Sequence, residues 1–304
     1  MRMMTTGKVT DDFYILGSSA YPVYLLDLPD KPIIFESGIT CAGEVYVEAI
    51  RAVLVDRQPA YLFLSHAHWD HAGSAAYLKQ AFPAMQIAAS KLAAGVLKRS
   101  GAVQAIAQLN RDANHFVKWE PGFDHGRLIK QPFQTFEVDL QLNDGQVVEV
   151  NETTCIQVLA TPGHTRDHLS YYLPNQKILV AVESGGYMSG SGDIDAEFVA
   201  DYDGYITSLG RLAQLPAVVF CQGHNVVFTG REEIKEFFAK SMQEAVLYKY
   251  RICELLKQEK GDIDRVVQRM KAERYDHVEG FKQDESVYTL NLAAQVKHIA
   301  DRHF

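Results

Sequence analysis

Six residues, His66-Ala67-His68-Trp69-Asp70-His71, place three imidazoles and a carboxylate directly after a short apolar run, Tyr61-Leu62-Phe63-Leu64. An apolar run of that length reads as a buried strand, so the cluster falls where a strand ends. There residues i and i+2 point to the same side. His66 and His68 can therefore offer two imidazoles to one ion, while Asp70 and His71 leave in the following turn. Burying four polar, ionisable side chains within six residues is costly unless something satisfies them. A metal centre is the expectation. Imidazole and carboxylate without thiolate suit zinc, iron or manganese.

The same placement recurs along the chain. Strands are expected at Phe13 to Leu16, Val23 to Leu26, Ile33 to Phe35, Gln146 to Val150, Ile156 to Leu159, Leu169 to Leu173, Ile178 to Val182 and Val218 to Cys221. His164, Glu183 and His224 follow three of the later strands, and loops at strand ends are where a rigid sheet presents chemistry. The segment Ala42 to Leu54 has helical spacing. From Thr229 the pattern changes. Thr229-Gly230-Arg231-Glu232 has the T-x-x-E form of a capping box. Ile234, Phe237, Phe238, Met242, Ala245, Ile252, Leu255 and Leu256 then keep largely to one helical face up to Gly261. Helices over Asp262 to Glu273 and Asp284 to His303 complete the chain. The expected division is a catalytic part, residues 1–229, and a helical extension, 230–304, packed on it.

Composition narrows the partners. With 38 acidic against 30 basic residues, a net charge of -8 and no run of Lys and Arg, the chain has nothing to follow a phosphate backbone, so nucleic acid is not expected. The first dozen residues do not read as a signal peptide, and no segment approaches the ~20 apolar residues of a membrane span. Cys41, Cys155, Cys221 and Cys253 form no C-x-x-C pair. A cytoplasmic, reducing location is the expectation. Asp193-Ile194-Asp195 lacks the later Gly and Glu of a calcium loop and reads as a solvated turn.

His66-Ala67-His68-Trp69-Asp70-His71 resembles the signature of the metallo-β-lactamase superfamily, and its companions follow in that superfamily's order. Thr161-Pro162-Gly163-His164-Thr165 resembles the T-P-G-H-T element, the end of Ile178 to Glu183 the bridging-acid strand, and Gly223-His224 the late G-H. The resemblance implies an α+β fold, a four-layer αβ/βα sandwich with C-terminal capping helices. It also implies two divalent metal ions, zinc first, with iron or manganese as alternatives. One ion would be held by His66, His68 and His164, the other by Asp70, His71 and His224, with Glu183 between them. The family normally has Asp there. Glu keeps the charge and adds a methylene, so its alternative role is a hydrogen-bond acceptor behind the ligands. His168 corresponds to a position behind the metal. Tyr77 to Asn110, the Leu209 to Pro216 helix end and the helical tail are similar to the quinolone-signal response proteins. In that group C-terminal helices cap a dinuclear site with thioesterase activity, and protein contacts carry a regulatory role.

No Gly-rich phosphate loop, G-x-S-x-G elbow or H-E-x-x-H helix occurs, which leaves metal-activated water as the nucleophile. The natural reaction is hydrolysis of an activated acyl bond in a small molecule: a thioester first, then an ester or lactone. Asp70 would orient the water and carry a proton to the leaving group. Tyr187, Tyr202 and Tyr205 are rim candidates for an oxyanion donor. Two readings compete: a regulatory or binding protein with a largely vestigial metal site, and a mononuclear iron oxygenase on the same fold. A homodimer or a protein partner is compatible with either.

Overall fold

The computed structural model describes residues 2–117, 123, 125–189, 192–278 and 283–304. The first half runs β1 (Arg2–Met3), β2 (Gly7–Lys8), β3 (Phe13–Gly17), β4 (Pro22–Leu26), β5 (Ile33–Phe35), α1 (Gly43–Leu54), β6 (Tyr61–Phe63), α2 (Ala75–Ala81), β7 (Gln86–Ser90), α3 (Lys91–Val96), α4 (Ser100–Phe116) and β8 (Leu140–Leu142). The second runs β9 (Val147–Asn151), β10 (Thr154–Ala160), β11 (Leu169–Leu173), β12 (Ile178–Val180), β13 (Tyr187–Met188), β14 (Ile194–Asp195), α5 (Tyr202–Leu212), β15 (Val219–Cys221), β16 (Val227–Thr229), α6 (Arg231–Gln258), α7 (Ile263–Arg274) and α8 (Glu285–His303).

Among the described residues these strands form two seven-stranded mixed sheets, ordered β2-β3-β4-β5-β6-β7-β8 and β1-β16-β15-β12-β11-β10-β9, and a two-stranded ribbon of β13 and β14. Their period of two explains the layering. On β4, Tyr24 and Leu26 point into the seam between the sheets with Phe35, Phe63, Tyr171 and Val180. Val23 and Leu25 point the other way, against Tyr46, Ile50 and Leu54 of α1. The outer face of the second sheet, Leu159, Leu179, Phe220 and Phe228, is covered by Leu209 of α5, Phe237 and Phe238 of α6 and Val296 of α8. Helix, sheet, sheet, helix is the α+β four-layer arrangement expected, with the C-terminal helices as part of one outer layer.

Three local expectations are corrected. The Thr229 capping box does not form: α6 begins after Gly230 at φ 105°, with no side-chain cap hydrogen bond. Thr229 is instead held in the ladder opposite Val219, which keeps its backbone extended. The strand from Ile178 stops at Val180, because Val182 turns to φ 38° and opens a short helical turn, Val182–Gly185. Asp193 is exposed in a turn, as read, but the two residues after it are not solvated. Ile194–Asp195 pairs antiparallel with Tyr187–Met188, and burial pushes the Asp195 carboxyl up to about 6. Elsewhere Asp262 and Asp284 cap α7 and α8 by accepting from the backbone N–H groups of Arg265 and Ser286. The four cysteines form no disulfide. Among the described residues, no helix is long and apolar enough to cross a membrane.

Candidate metal centre

Strand ends from both sheets deliver the site. Leaving β6, the chain carries His66, His68, Asp70 and His71; the β10–β11 connection carries His164; the turn after β12 carries Glu183; and the loop after β15 carries His224. Three overlapping groups result: His66, His68 and His164; His66, His71 and Glu183; Asp70, His71 and His224. Within each, the ligand atoms lie inside 4.8 Å of one another, close enough to hold a metal ion.

Glu183 joins them. Its Oε1 lies 3.1 Å from His71 Nε2 and 3.3 Å from His224 Nε2, while Oε2 lies 4.0 Å from His66 Nε2. Both oxygens and His66 Nε2 are buried without an aligned hydrogen bond. Buried polar atoms are almost always partnered, and these three converge on one point with the chemistry of metal ligands. The residues therefore fit a divalent ion. The added methylene of Glu183 is accommodated by Gly223, where a Cβ would overlap the carboxylate.

The outward imidazole nitrogens are engaged, which aims the inward ones. His66 Nδ1 lies 2.8 Å from Ser65 Oγ, and His71 Nδ1 2.8 Å from Glu36 Oε2. His164 Nδ1 donates to the Glu197 carbonyl at 2.8 Å, and His224 Nδ1 to that of Ala20. His68 differs, presenting Nδ1 3.1 Å from His164 Nε2. Burial pushes His66 well down, depresses His68, and takes His164 to about 4, so these three rings stay neutral and ready to bind metal. At His71 burial acts in the same direction, but the charges of Glu183 and Asp70 reverse it and raise the ring well above its ordinary value. For Glu183 burial would raise the carboxyl; His71 and His224 overcome that and hold it low.

Glu36 and Asp167 complete the frame without having been read from the sequence. Glu36 is fully buried and accepts from Ser65 N–H at 2.9 Å, from Ser65 Oγ at 3.0 Å and from His71. Asp167 accepts from Ala67 N–H at 2.9 Å, pinning the histidine loop. The signal for Glu36 was available: it follows the strand Ile33 to Phe35, as the ligands follow theirs. Glu36, Val182 and Asn225 take left-handed φ of 63°, 38° and 62°, strain that clusters around these loops. His168 stacks on His66, ring centroids 4.9 Å apart, and holds Thr161 Oγ1 at 3.0 Å, behind the ligands as expected. Of the three tyrosines, Tyr187 lines the cavity over the site. Tyr205 is instead fully buried and lies 3.2 Å from the Glu197 N–H, and Tyr202 packs against Phe198. Helical phase on α5 turns both inward.

Two face-to-face sheets, helices outside and a His/Asp/Glu cluster at the strand ends define an α+β sandwich with residues grouped to hold a metal ion at one edge. Residues 19–224 match the metallo-beta-lactamase superfamily, and the chain belongs to that superfamily. It is 26% identical over 223 residues to a beta-lactamase-like protein 2 homolog of Caenorhabditis elegans, covering 72% of this chain and 61% of that protein. It is 24% identical over 213 residues to an atrochrysone carboxyl ACP thioesterase of Aspergillus fumigatus, covering 69% and 52%. An 80-residue stretch, 26% of this chain and 29% of the relative, is 38% identical to a hydroxyacylglutathione hydrolase of Rhodopseudomonas palustris. The chain thus spans between half and two thirds of the length of the first two relatives. Among solved structures, a metallo-beta-lactamase superfamily protein of Sulfolobus tokodaii shares the fold over 96% of this chain and 98% of its own, with a TM-score of 0.57 at 13% identity. A Cronobacter sakazakii metallo-beta-lactamase mutant does so over 84% and 100%, with a TM-score of 0.59 at 17% identity.

Proposed function

We propose that the protein is a metal-dependent hydrolase of activated acyl bonds, a thioesterase first, acting on a small molecule. The observation that carries this is the convergence of His66 Nε2 and both Glu183 oxygens, buried without an aligned hydrogen bond, between the two histidine groups. His66, His68 and His164 would hold one ion; Asp70, His71 and His224 a second; Glu183 reaches toward both, with zinc the first candidate. Bound there, such ions polarise a carbonyl and lower the pKa of water toward ~7.

The chain's own residues supply the rest. Asp70 lines the cavity 3.5 Å from His224 Nε2, placed to orient an attacking water and pass its proton to the leaving group. Tyr187 stands beside His224 in the same wall, ring centroids 6.0 Å apart, and is the candidate oxyanion donor. A thioester suits this equipment because its thiolate leaves with little help, and among the described residues no Lys or Arg lines the cavity to clamp a phosphoryl group. The thioesterase and hydroxyacylglutathione hydrolase relatives support the same class. Elemental analysis followed by turnover of a generic thioester tests the reading; a fully metallated protein inert on thioesters, esters and lactones would remove it.

A further inference from the structure

His164 comes from the β10–β11 connection, but a separate piece of backbone aims it: residues 196–202, between β14 and the first turn of α5. One side of this strip faces the ligand. The Glu197 carbonyl accepts from His164 Nδ1 at 2.8 Å, and the Ala200 and Asp201 N–H groups donate to the Gly163 carbonyl at 2.9 and 3.0 Å. A Cβ on Gly163 would overlap the Tyr205 backbone, so the ligand loop and α5 are in direct contact. The other side of the strip is held by α8. Gln295 Nε2 donates to the Ala196 carbonyl at 2.7 Å, and His298 Nε2 accepts from the Tyr202 N–H at 3.0 Å. Residues three apart on a helix are neighbours on one face, so one face of α8 grips the strip at both ends. We propose that Gln295 and His298 are positioning residues for His164, and that α8 thereby couples the docking of the C-terminal helix to metal binding at His66, His68 and His164. The proposal rests on reading His164 as a metal ligand.

Both side chains are oriented for these contacts. Gln295 is buried, and Tyr248 Oη on α6 donates to its Oε1 at 3.1 Å, which leaves Nε2 for the Ala196 carbonyl. His298 takes a backbone donor from the first turn of α5, one of those that a helix leaves without an internal partner. Asp201, the residue before that turn, makes no side-chain cap hydrogen bond, so this donor is satisfied from α8 instead. Accepting through Nε2 makes the His298 ring neutral, with its proton on Nδ1. A zinc–nitrogen bond is held to ~2.0–2.1 Å, so a ligand ring free to swing binds less tightly. Peptide groups that steady the His164 ring therefore add to affinity, and the side chains that fix those peptide groups share in the effect.

The test measures zinc affinity by competition with a chelating dye, beside the melting temperatures of the metal-free proteins. His164→Ala sets the scale. Gln295→Met keeps the length of the side chain without its donor, and His298→Leu removes the acceptor. We expect each to weaken zinc binding about three- to ten-fold, less than the ~10–100-fold that follows losing a ligand's own partner, because each acts one peptide group further out. His298→Gln keeps an acceptor at similar reach and should recover most of the loss. Linkage is reciprocal, so zinc that gains affinity from α8 must in return hold α8 more tightly. Zinc should therefore slow hydrogen exchange in α8 more than in α1, on the opposite outer layer, and His164→Ala should abolish that excess. The exchange comparison decides the matter even where an α8 variant does not fold. Undiminished zinc affinity in Gln295→Met and His298→Leu, no recovery in His298→Gln, or equal slowing of α8 and α1 would overturn the proposal. If His164→Ala itself binds zinc as the wild type does, the ligand reading fails and the proposal with it; a loss in His164→Ala with none in the α8 variants removes the role of α8 alone.

Discussion

Consider Glu183→Gln, which keeps the shape of the side chain and removes one negative charge from between the histidine groups. The carboxylate lies 3.1 Å from His71 Nε2, 3.3 Å from His224 Nε2 and 4.0 Å from His66 Nε2, so an ion bound by either group sits close to it. A pair of unit charges at roughly 4 Å in an effective dielectric of 20 interacts by about 4 kcal/mol. Part of this is offset, because burying the ionised carboxylate costs energy that the amide does not incur. Halving the figure leaves about 2 kcal/mol, or about thirty-fold in affinity. The loss should fall first on the site of Asp70, His71 and His224, where Oε1 has both its close contacts. Metal per chain after dialysis should drop from two toward one, and the gain in melting temperature on adding zinc should shrink. Glu183→Asp restores the usual family acid but withdraws the carboxylate by roughly 1.5 Å, one bond length, from a backbone fixed at φ 38° in Val182. It should behave more like the Gln variant than the wild type. Two firmly bound ions per chain in Glu183→Gln would refute the bridging role.

Four further outcomes are expected. Glu36→Gln should weaken metal binding about 10–100-fold by loosening the tautomer and orientation of His71, read by competition with a chelating dye; unchanged affinity would show Glu36 to be packing only. Gly223→Ala should displace the Glu183 carboxylate and reproduce the metal loss of Glu183→Gln, and intact stoichiometry would disprove that fit. Phe237→Ala should cost about 3–5 kcal/mol in denaturant unfolding, because its ring is buried 4.5 Å from Phe228 and 5.4 Å from Phe220 and ties α6 to the second sheet. Asp195, raised from 3.8 to about 6, binds its proton more tightly folded than unfolded, so its contribution is present below 3.8 and lost as pH rises through about 6. Asp195→Asn should therefore gain in melting temperature relative to wild type between those values, and a pH-independent difference would contradict this.

The proposed ligands were legible because their information is local. A strand ends, the next residues are polar, and spacing alone decides which side each faces; His66, His68, Asp70, His71, His164, Glu183 and His224 all come together from that rule. Glu36 obeys it too and was passed over only because a single acid after Ile33 to Phe35 has no companion in sequence. Its companions, Ser65 and His71, are some thirty residues away and reach it only when β5 and β6 pair in parallel. Long-range pairing likewise defeated the capping box at Thr229, where a ladder partner from β15 outweighed a local helix signal worth about 1 kcal/mol.

The features that would choose a substrate are less legible for the same reason, carried further. Asp195 looks solvated in its own neighbourhood of Gly and Ser; it is the ribbon with Tyr187 and Met188, and residues from α6, α7 and α8, that place it in the wall of a cavity of about 540 Å³. Tyr187 and Tyr205 read alike as rim tyrosines, yet one lines the cavity and the other is fully buried. The candidate metal ligands come from a few strand ends and can be picked out from their spacing. The larger cavity beside that site is walled by residues of α6, α7, α8 and the β13–β14 ribbon, and no motif in those elements announces it.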